Sequence, residues 1–222
     1  QLAPRMADRW AGASMMAGHP NETSPRGLRN IAFTLHVGGR DGAYNRNNVA
    51  RQWQQQLAAM HKDDPDGYVH WAKIYEDKGH WLDRLDAAAI PWMAKHTRRP
   101  FPKRIVWKQD DVTHARFYWL AVDQKNRHGR TEIVATRDGQ QIDIQAPGNI
   151  KSVIVRLNDE IVNFSQPIQI TSGEKQLFQG RVARTIGVLA KTLAERGDSK
   201  AIFSSEVSIQ LVPPEEKQEH DK

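Results

Sequence analysis

Residues 31–53 read IAFTLHVGGRDGAYNRNNVARQW, and a change of period inside this stretch decides the fold. IAFTLHV (31–37) is a short, largely apolar run that stops at Gly38-Gly39, as a buried strand does. From Asn45 to Met60 the apolar residues Val49, Trp53, Leu57 and Met60 recur at helical spacing. A strand that passes through a short glycine-containing loop into an amphipathic helix is one repeat of an α/β protein.

Working outward, the same alternation continues. Residues 1–9 read as the end of a helix, and WAGASMMAG (10–18) as a buried strand bounded by glycine. GHPNETSPRG (18–27) is a loop rich in turn residues. KDDPDG (62–67) closes the helix, and YVHWAKIYE (68–76) is a third strand with partial alternation. Asp83 to His96 places Leu85, Ala88, Ala89, Trp92 and Met93 on one face; Pro91 inside it predicts a kink or two short helices. Strands alternating with helices over short connections imply a parallel sheet with right-handed crossovers. Ligands of such sheets sit at the carboxyl ends of the strands.

The pattern changes after Pro100-Phe101-Pro102. RIVWKQ, ARFYWLAV, TEIVATR, QQIDIQA, KSVIVRL, QPIQITS, KQLFQG and AIFSSEVSIQLV are β signals separated by Gly, Asn, Asp and Pro. Asp138-Gly139 marks a hairpin, and Asn158-Asp159 marks a second. One helix interrupts, from about Arg184 to Arg196, with Ile186, Leu189, Ala190 and Leu193 on one face. The expected fold class is therefore α/β: three parallel strands with helices over residues 1–101, then a small, mostly antiparallel β-sandwich with one helix over residues 102–212. The polar stretch from Pro213 to Lys222 is expected to fray.

Composition narrows the function classes. The 222 residues are 39% hydrophobic and 26% charged, the balance of a globular chain with a buried core. No apolar run approaches the ~20 residues of a membrane span, so no membrane partner is expected. Cysteine is absent, which removes disulfides and thiolate metal sites. The net charge of +6 draws on scattered residues such as Arg98, Arg99, Lys103, Arg104, Arg127 and Arg130. No nucleic-acid-binding motif accompanies them, so a basic surface is expected rather than a nucleic-acid partner.

Two loops carry chemistry. GGRD places Asp41 after the second strand, and DKGHWLD (77–83) places His80 after the third. A loop histidine is a competent general base near neutral pH. It works better when a carboxylate accepts the Nδ1 hydrogen bond, which sets the tautomer and stabilises the imidazolium. Loops following neighbouring parallel strands lie side by side, so Asp41 and His80 can meet. Gly38, Gly39 and Gly79 would ease the turns. The competing readings are a helix cap or turn for Asp41 and an ordinary loop position for His80; their order at successive strand ends favours function.

The order strand–GGRD–helix–strand–GHW–helix resembles the C-terminal half of an α/β-hydrolase, in particular the esterases and peptidases related to polyhydroxyalkanoate depolymerases and prolyl oligopeptidases. The resemblance covers roughly residues 1–100. It implies a chain order of nucleophile, acid and histidine, with Asp41 as the triad acid and His80 as the triad base. It also implies an ester or amide substrate, small or peptidic, and no cofactor. The β domain resembles the extra C-terminal modules of bacterial hydrolases of this type, many of them exported, which implies a periplasmic or extracellular location. No G-x-S-x-G occurs in the 222 residues, and neither Ser14 nor Ser24 precedes a helix as an elbow serine does. The nucleophile is therefore expected upstream of Gln1, on the N-terminal half of the same domain, with that half as the partner of this one.

Other candidates have plainer readings beside them. His19 follows the first strand and is a candidate for the substrate cleft or a turn residue. Trp81 beside His80 is a candidate cleft wall, whereas Trp71, Trp92, Trp107 and Trp119 read as packing residues. His61, His70, Asp63, Asp64 and Asp66 lack calcium-loop spacing and read as a solvated connection, so no metal is expected. RPFPKR (99–104) reads as an interdomain linker. Two functions remain: a serine hydrolase, or a non-catalytic binding protein on a hydrolase scaffold whose β-sandwich docks a polymer or a protein.

Overall fold

The computed structural model describes residues 1–211; the polar segment expected to fray lies outside the described residues. The α/β unit opens with a short helix, α1 (Leu2–Arg5), and a 3-10 turn (Ala7–Arg9). β1 (Gly12–Met16), β2 (Ala32–Gly38) and β3 (His70–Tyr75) then pair in parallel, in the order β1-β2-β3. α2 (Arg46–Asp63) connects β2 to β3, and α3 (Ala89–Met93) follows β3 after a 3-10 turn (Leu85–Ala88).

β2 is the middle strand, and all seven of its residues are buried. Its side chains alternate between faces. Phe33 meets Trp53 of α2 at 5.9 Å between ring centroids. His36, from the alternate set, meets Trp71 at 4.6 Å, and Trp71 meets Trp92 of α3 at 6.1 Å. The two helices therefore cover opposite faces. α2 buries Ala50, Trp53 and Leu57, an i, i+3, i+7 stripe. The stretch around Pro91 is two short helices, as expected: the 3-10 turn and α3, with Pro91 in the first turn of α3, where an N–H has no intrahelical partner.

The β unit follows. β4 (Arg104–Lys108), β7 (Glu132–Asp138), β8 (Gln141–Gln145), β10 (Ile168–Ser172) and β11 (Lys175–Gly180) form one sheet, in the order β11-β10-β8-β7-β4. β5 (Arg116–Phe117), β6 (Leu120–Ala121), β9 (Ser152–Leu157) and β12 (Ser205–Gln210) form the other, in the order β12-β9-β6-β5. Every pairing in these two sheets is antiparallel except β8 with β10. The architecture is the expected one: a three-stranded parallel α/β unit followed by a sandwich-like, mostly antiparallel β unit with one helix, α4 (Ile186–Arg196).

One hydrophobic cluster runs through both units, from Leu28, Phe33 and Leu57 to Trp107, Phe117, Trp119 and Ile144. Ion pairs join them as well: Arg5 with Asp110, Arg26 with Glu132, and Arg98 with Asp198. The carbonyl of Phe101 accepts from Arg137 Nη2 at 2.7 Å, and that of Pro102 from Trp119 Nε1 at 2.8 Å, so RPFPKR is a linker tied to the β unit.

Several local expectations change. β1 is half-buried along its whole length, because it is an edge strand rather than a central one. The run ARFYWLAV folds back on itself into β5 and β6, with Tyr118 at φ 53° in the bend. The β7–β8 hairpin turns on Gly139-Gln140, with Gly139 at φ 55°, one residue later than expected. Asn158-Asp159 makes a turn but no hairpin: β9 lies in one sheet and β10 in the other. The face of α4 expected to be buried is largely exposed at Ile186, Leu189 and Leu193, while Thr192 is buried. Thr185 caps that helix by accepting the Val188 N–H at 3.2 Å, and Gly197 ends it at φ 62°.

Candidate active site

The carboxyl ends of β2 and β3 are locked together by their backbones. Gly39 N donates to Tyr75 O at 2.7 Å, and Arg40 N donates to Lys78 O at 2.9 Å. The approach is close enough to require glycine. A Cβ on Gly38 would lie 2.0 Å from Gly79 O, and one on Gly39 would lie 2.7 Å from Glu76 Cα. Neither glycine has positive φ, so close approach and not turn geometry demands them. Gly79 has open space around it.

This contact places Asp41 against His80. His80 Nδ1 lies 2.9 Å from Asp41 Oδ2. The Asp41 side chain is 2% exposed and the His80 side chain 46%. A carboxylate oxygen at that distance only accepts, so Nδ1 carries the hydrogen and the Nε2 lone pair of the neutral ring is free. Nε2 has no hydrogen-bond partner among the described residues. Asp41 is not a helix cap: α2 starts after Asn45, and the Asp41 side chain makes no capping bond.

A third residue completes the group. Arg46 Nη1 donates to Asp41 Oδ1 at 3.0 Å and lies 3.5 Å from His80 Nδ1. The second distance is too long for a hydrogen bond, and Nδ1 already carries a hydrogen. Arg46 thus fixes one carboxylate oxygen while His80 takes the other. Its guanidinium also lies 4.9 Å above the Tyr44 ring. Tyr44 and Asn45 are both left-handed, at φ 53° and 59°, and this bend turns Arg46 back toward Asp41. The sequence carried a weak trace of this in the Tyr-Asn pair before the helix; nothing in it singled out Arg46. Arg46→Met is expected to lower stability by about 1.5–3 kcal/mol, the range for a hydrogen bond to a charged group, as measured by urea denaturation.

Beside the pair lies a cavity of about 670 Å³ lined by Met16, Ala17, His80, Trp81, Asp83 and Arg84 among others. Trp81 is 83% exposed, with its ring 5.5 Å from that of His80. Three of the lining residues, Ala17, Asp83 and Arg84, are left-handed at φ 45°, 50° and 65°. Strained backbone of this kind costs about 1–3 kcal/mol per residue and clusters at functional sites.

His19 does not line this cavity; its Nδ1 accepts the Asn21 N–H at 2.9 Å, the bond of a local turn. Ser14 Oγ is buried in β1 without a partner, and Ser24 Oγ accepts the Arg26 N–H at 3.3 Å; neither hydrogen-bonds to His80. His36, in β2 two residues before Gly38, lies between Thr34 Oγ1 (2.7 Å) and the Tyr75 hydroxyl (3.0 Å), and burial lowers its pKa. The Tyr75 hydroxyl also lies 3.0 Å from Leu85 O, which ties the segment after His80 to the sheet. His61 and His70 bond through Nδ1 to the carbonyls of Gly67 and Tyr68, and Asp64 pairs with Arg29. No group of three or more potential metal ligands gathers among the described residues. No helix among them is long and apolar enough to cross a membrane.

Comparison with family models, with curated proteins and with solved structures gives no match to this chain.

Proposed function

We propose that Asp41 and His80 are the acid and base of a Ser–His–Asp hydrolase of the α/β type, acting on an ester or amide. The observation that carries this reading is the 2.9 Å bond from Nδ1 of the half-exposed His80 to the buried Asp41 carboxylate, which leaves Nε2 free. On this reading His80 Nε2 takes the proton of a serine hydroxyl as its oxygen attacks the substrate carbonyl. Asp41 holds the ring and stabilises the imidazolium. His80 then returns the proton to the leaving alcohol or amine. On this reading the serine would come from outside residues 1–222, as the resemblance to α/β-hydrolases implies. Arg46 keeps the carboxylate oriented, and Trp81 walls the substrate cleft.

A second reading, a binding protein on the same scaffold, draws support from the exposed Trp81 and from the absence of serine among the described residues that line the His80 cavity. One experiment separates the two. The full-length protein is treated with a fluorophosphonate probe, and the labelled residue is located by mass spectrometry. The enzyme reading expects one labelled serine, with labelling slowed by about two orders of magnitude or more in His80→Ala. An unlabelled chain, or equal labelling of the variant, leaves the binding protein.

A further inference from the structure

A second cavity, of about 220 Å³, lies where α1 and its 3-10 turn meet the β unit. Five arginines line it, Arg5, Arg9, Arg116, Arg127 and Arg196, together with His114 and one acid, Asp8. They come from three separate parts of the chain: the N-terminal segment, the β5–β6 region (β5 itself and the segments flanking it), and the last turn of α4. Their partners do not account for all of their donors. Arg5 is taken by Asp110 and Asp111, and Arg196 pairs with Asp8. Arg116 donates Nη2 to the Glu195 carbonyl at 2.7 Å and pairs at 3.6 Å with the Glu195 carboxylate, which Arg156 holds more closely at 2.7 Å and 3.0 Å. The Nε atoms of Arg116, Arg127 and Arg196 are buried with no hydrogen-bond acceptor. Arg127 has only the neutral side chain of Gln124, and the Arg9 side chain has no ion pair or hydrogen bond among the described residues.

A buried charged donor without an acceptor is costly, by about 1–3 kcal/mol or more. Three of them around one cavity, beside a free guanidinium, describe a site short of acceptors. The volume holds several waters at roughly 30 Å³ each, enough for a small oxyanion. Guanidinium groups converging from different directions suit a tetrahedral oxyanion with several acceptor oxygens. We propose that this cavity binds a phosphate-class oxyanion, either the free ion or the phosphoryl group of a small phosphate ester. The anion would accept from Arg9, Arg116, Arg127 and Arg196 and would tie the two units of the fold together. This site is distinct from Asp41 and His80 and does not rest on the hydrolase reading. His114 belongs to the same cluster: burial is the largest influence and lowers its pKa, Asp8 opposes this, and Arg5 and Arg9 add to it.

The test is calorimetric titration of the protein with inorganic phosphate and, separately, with glycerol phosphate, at constant ionic strength in chloride. The variants are Arg9→Gln and Arg127→Gln, singly and together; neither residue has an acid partner, so circular dichroism is expected to show the fold retained. The expected result is saturable binding that weakens at least tenfold in the double variant. Tighter binding of the ester assigns the phosphoryl group of a metabolite, and tighter binding of the ion assigns free phosphate; both support the site. Absent binding, a melting temperature that rises no more in phosphate than in chloride, or equal affinity in the double variant overturns it.

Discussion

Asp41→Asn is expected to move the ring proton of His80 from Nδ1 to Nε2 and, on the proposed hydrolase reading, to lower turnover by about four orders of magnitude. The direction follows from Arg46. Its Nη1 donates to the Oδ1 position at 3.0 Å, so the oxygen of the new amide must occupy that place. The amide NH2 is then forced into the Oδ2 position, 2.9 Å from His80 Nδ1. There it donates, Nδ1 must accept, and the ring proton moves to Nε2. A ring protonated on Nε2 has no lone pair to receive a serine proton. The geometry hardly changes, because the two side chains have the same shape. Nitrogen NMR of the His80 ring reads the tautomer directly and requires no activity. A variant that kept the wild-type tautomer, or wild-type turnover, would refute the assignment of Asp41.

Gly38→Ala is expected to part the two loops. The added Cβ would sit 2.0 Å from Gly79 O and 2.5 Å from Lys78 O, both backbone atoms with no side-chain freedom to give way. Either β2 or the 78–80 segment must move, at a cost of about 1–3 kcal/mol or more for an overpacked site. A shift of about 1 Å at the reacting groups costs a further factor of roughly 10² in rate. The His80–Asp41 bond is read by the same NMR experiment and stability by urea denaturation. Gly42→Ala and Gly79→Ala are the controls, since a Cβ at either meets nothing within 4 Å. If all three variants lost stability equally, flexibility rather than close approach would explain the glycines.

Both predictions concern contacts between neighbouring strands, which the sequence marked only at Asp41 and His80 themselves. The unbroken run at 31–37 and the stripe of Trp53 and Leu57 placed β2 and α2, because burial on both faces and the 3.6-residue period are local properties of a chain. Alternation of strand and helix made the sheet parallel, and that put Asp41 and His80 at adjacent strand ends. The apolar stripe of α4 was equally plain, yet Ile186 is 87% exposed. Periodicity shows that a helix has an apolar face; it does not show what that face packs against.

The sequence alone sufficed for the class of fold, the parallel sheet, and the two residues that meet after neighbouring strands. It could do so because period, punctuation and chain order act over a few residues. Only the tertiary structure decided the rest. Arg46 joined Asp41 through the left-handed bend at Tyr44 and Asn45, and Gly38 was needed for a carbonyl forty-one residues away. Arginines from three parts of the chain gathered around one cavity. Each of these depends on distances across the fold, and residues far apart in the chain carry no local mark of meeting there.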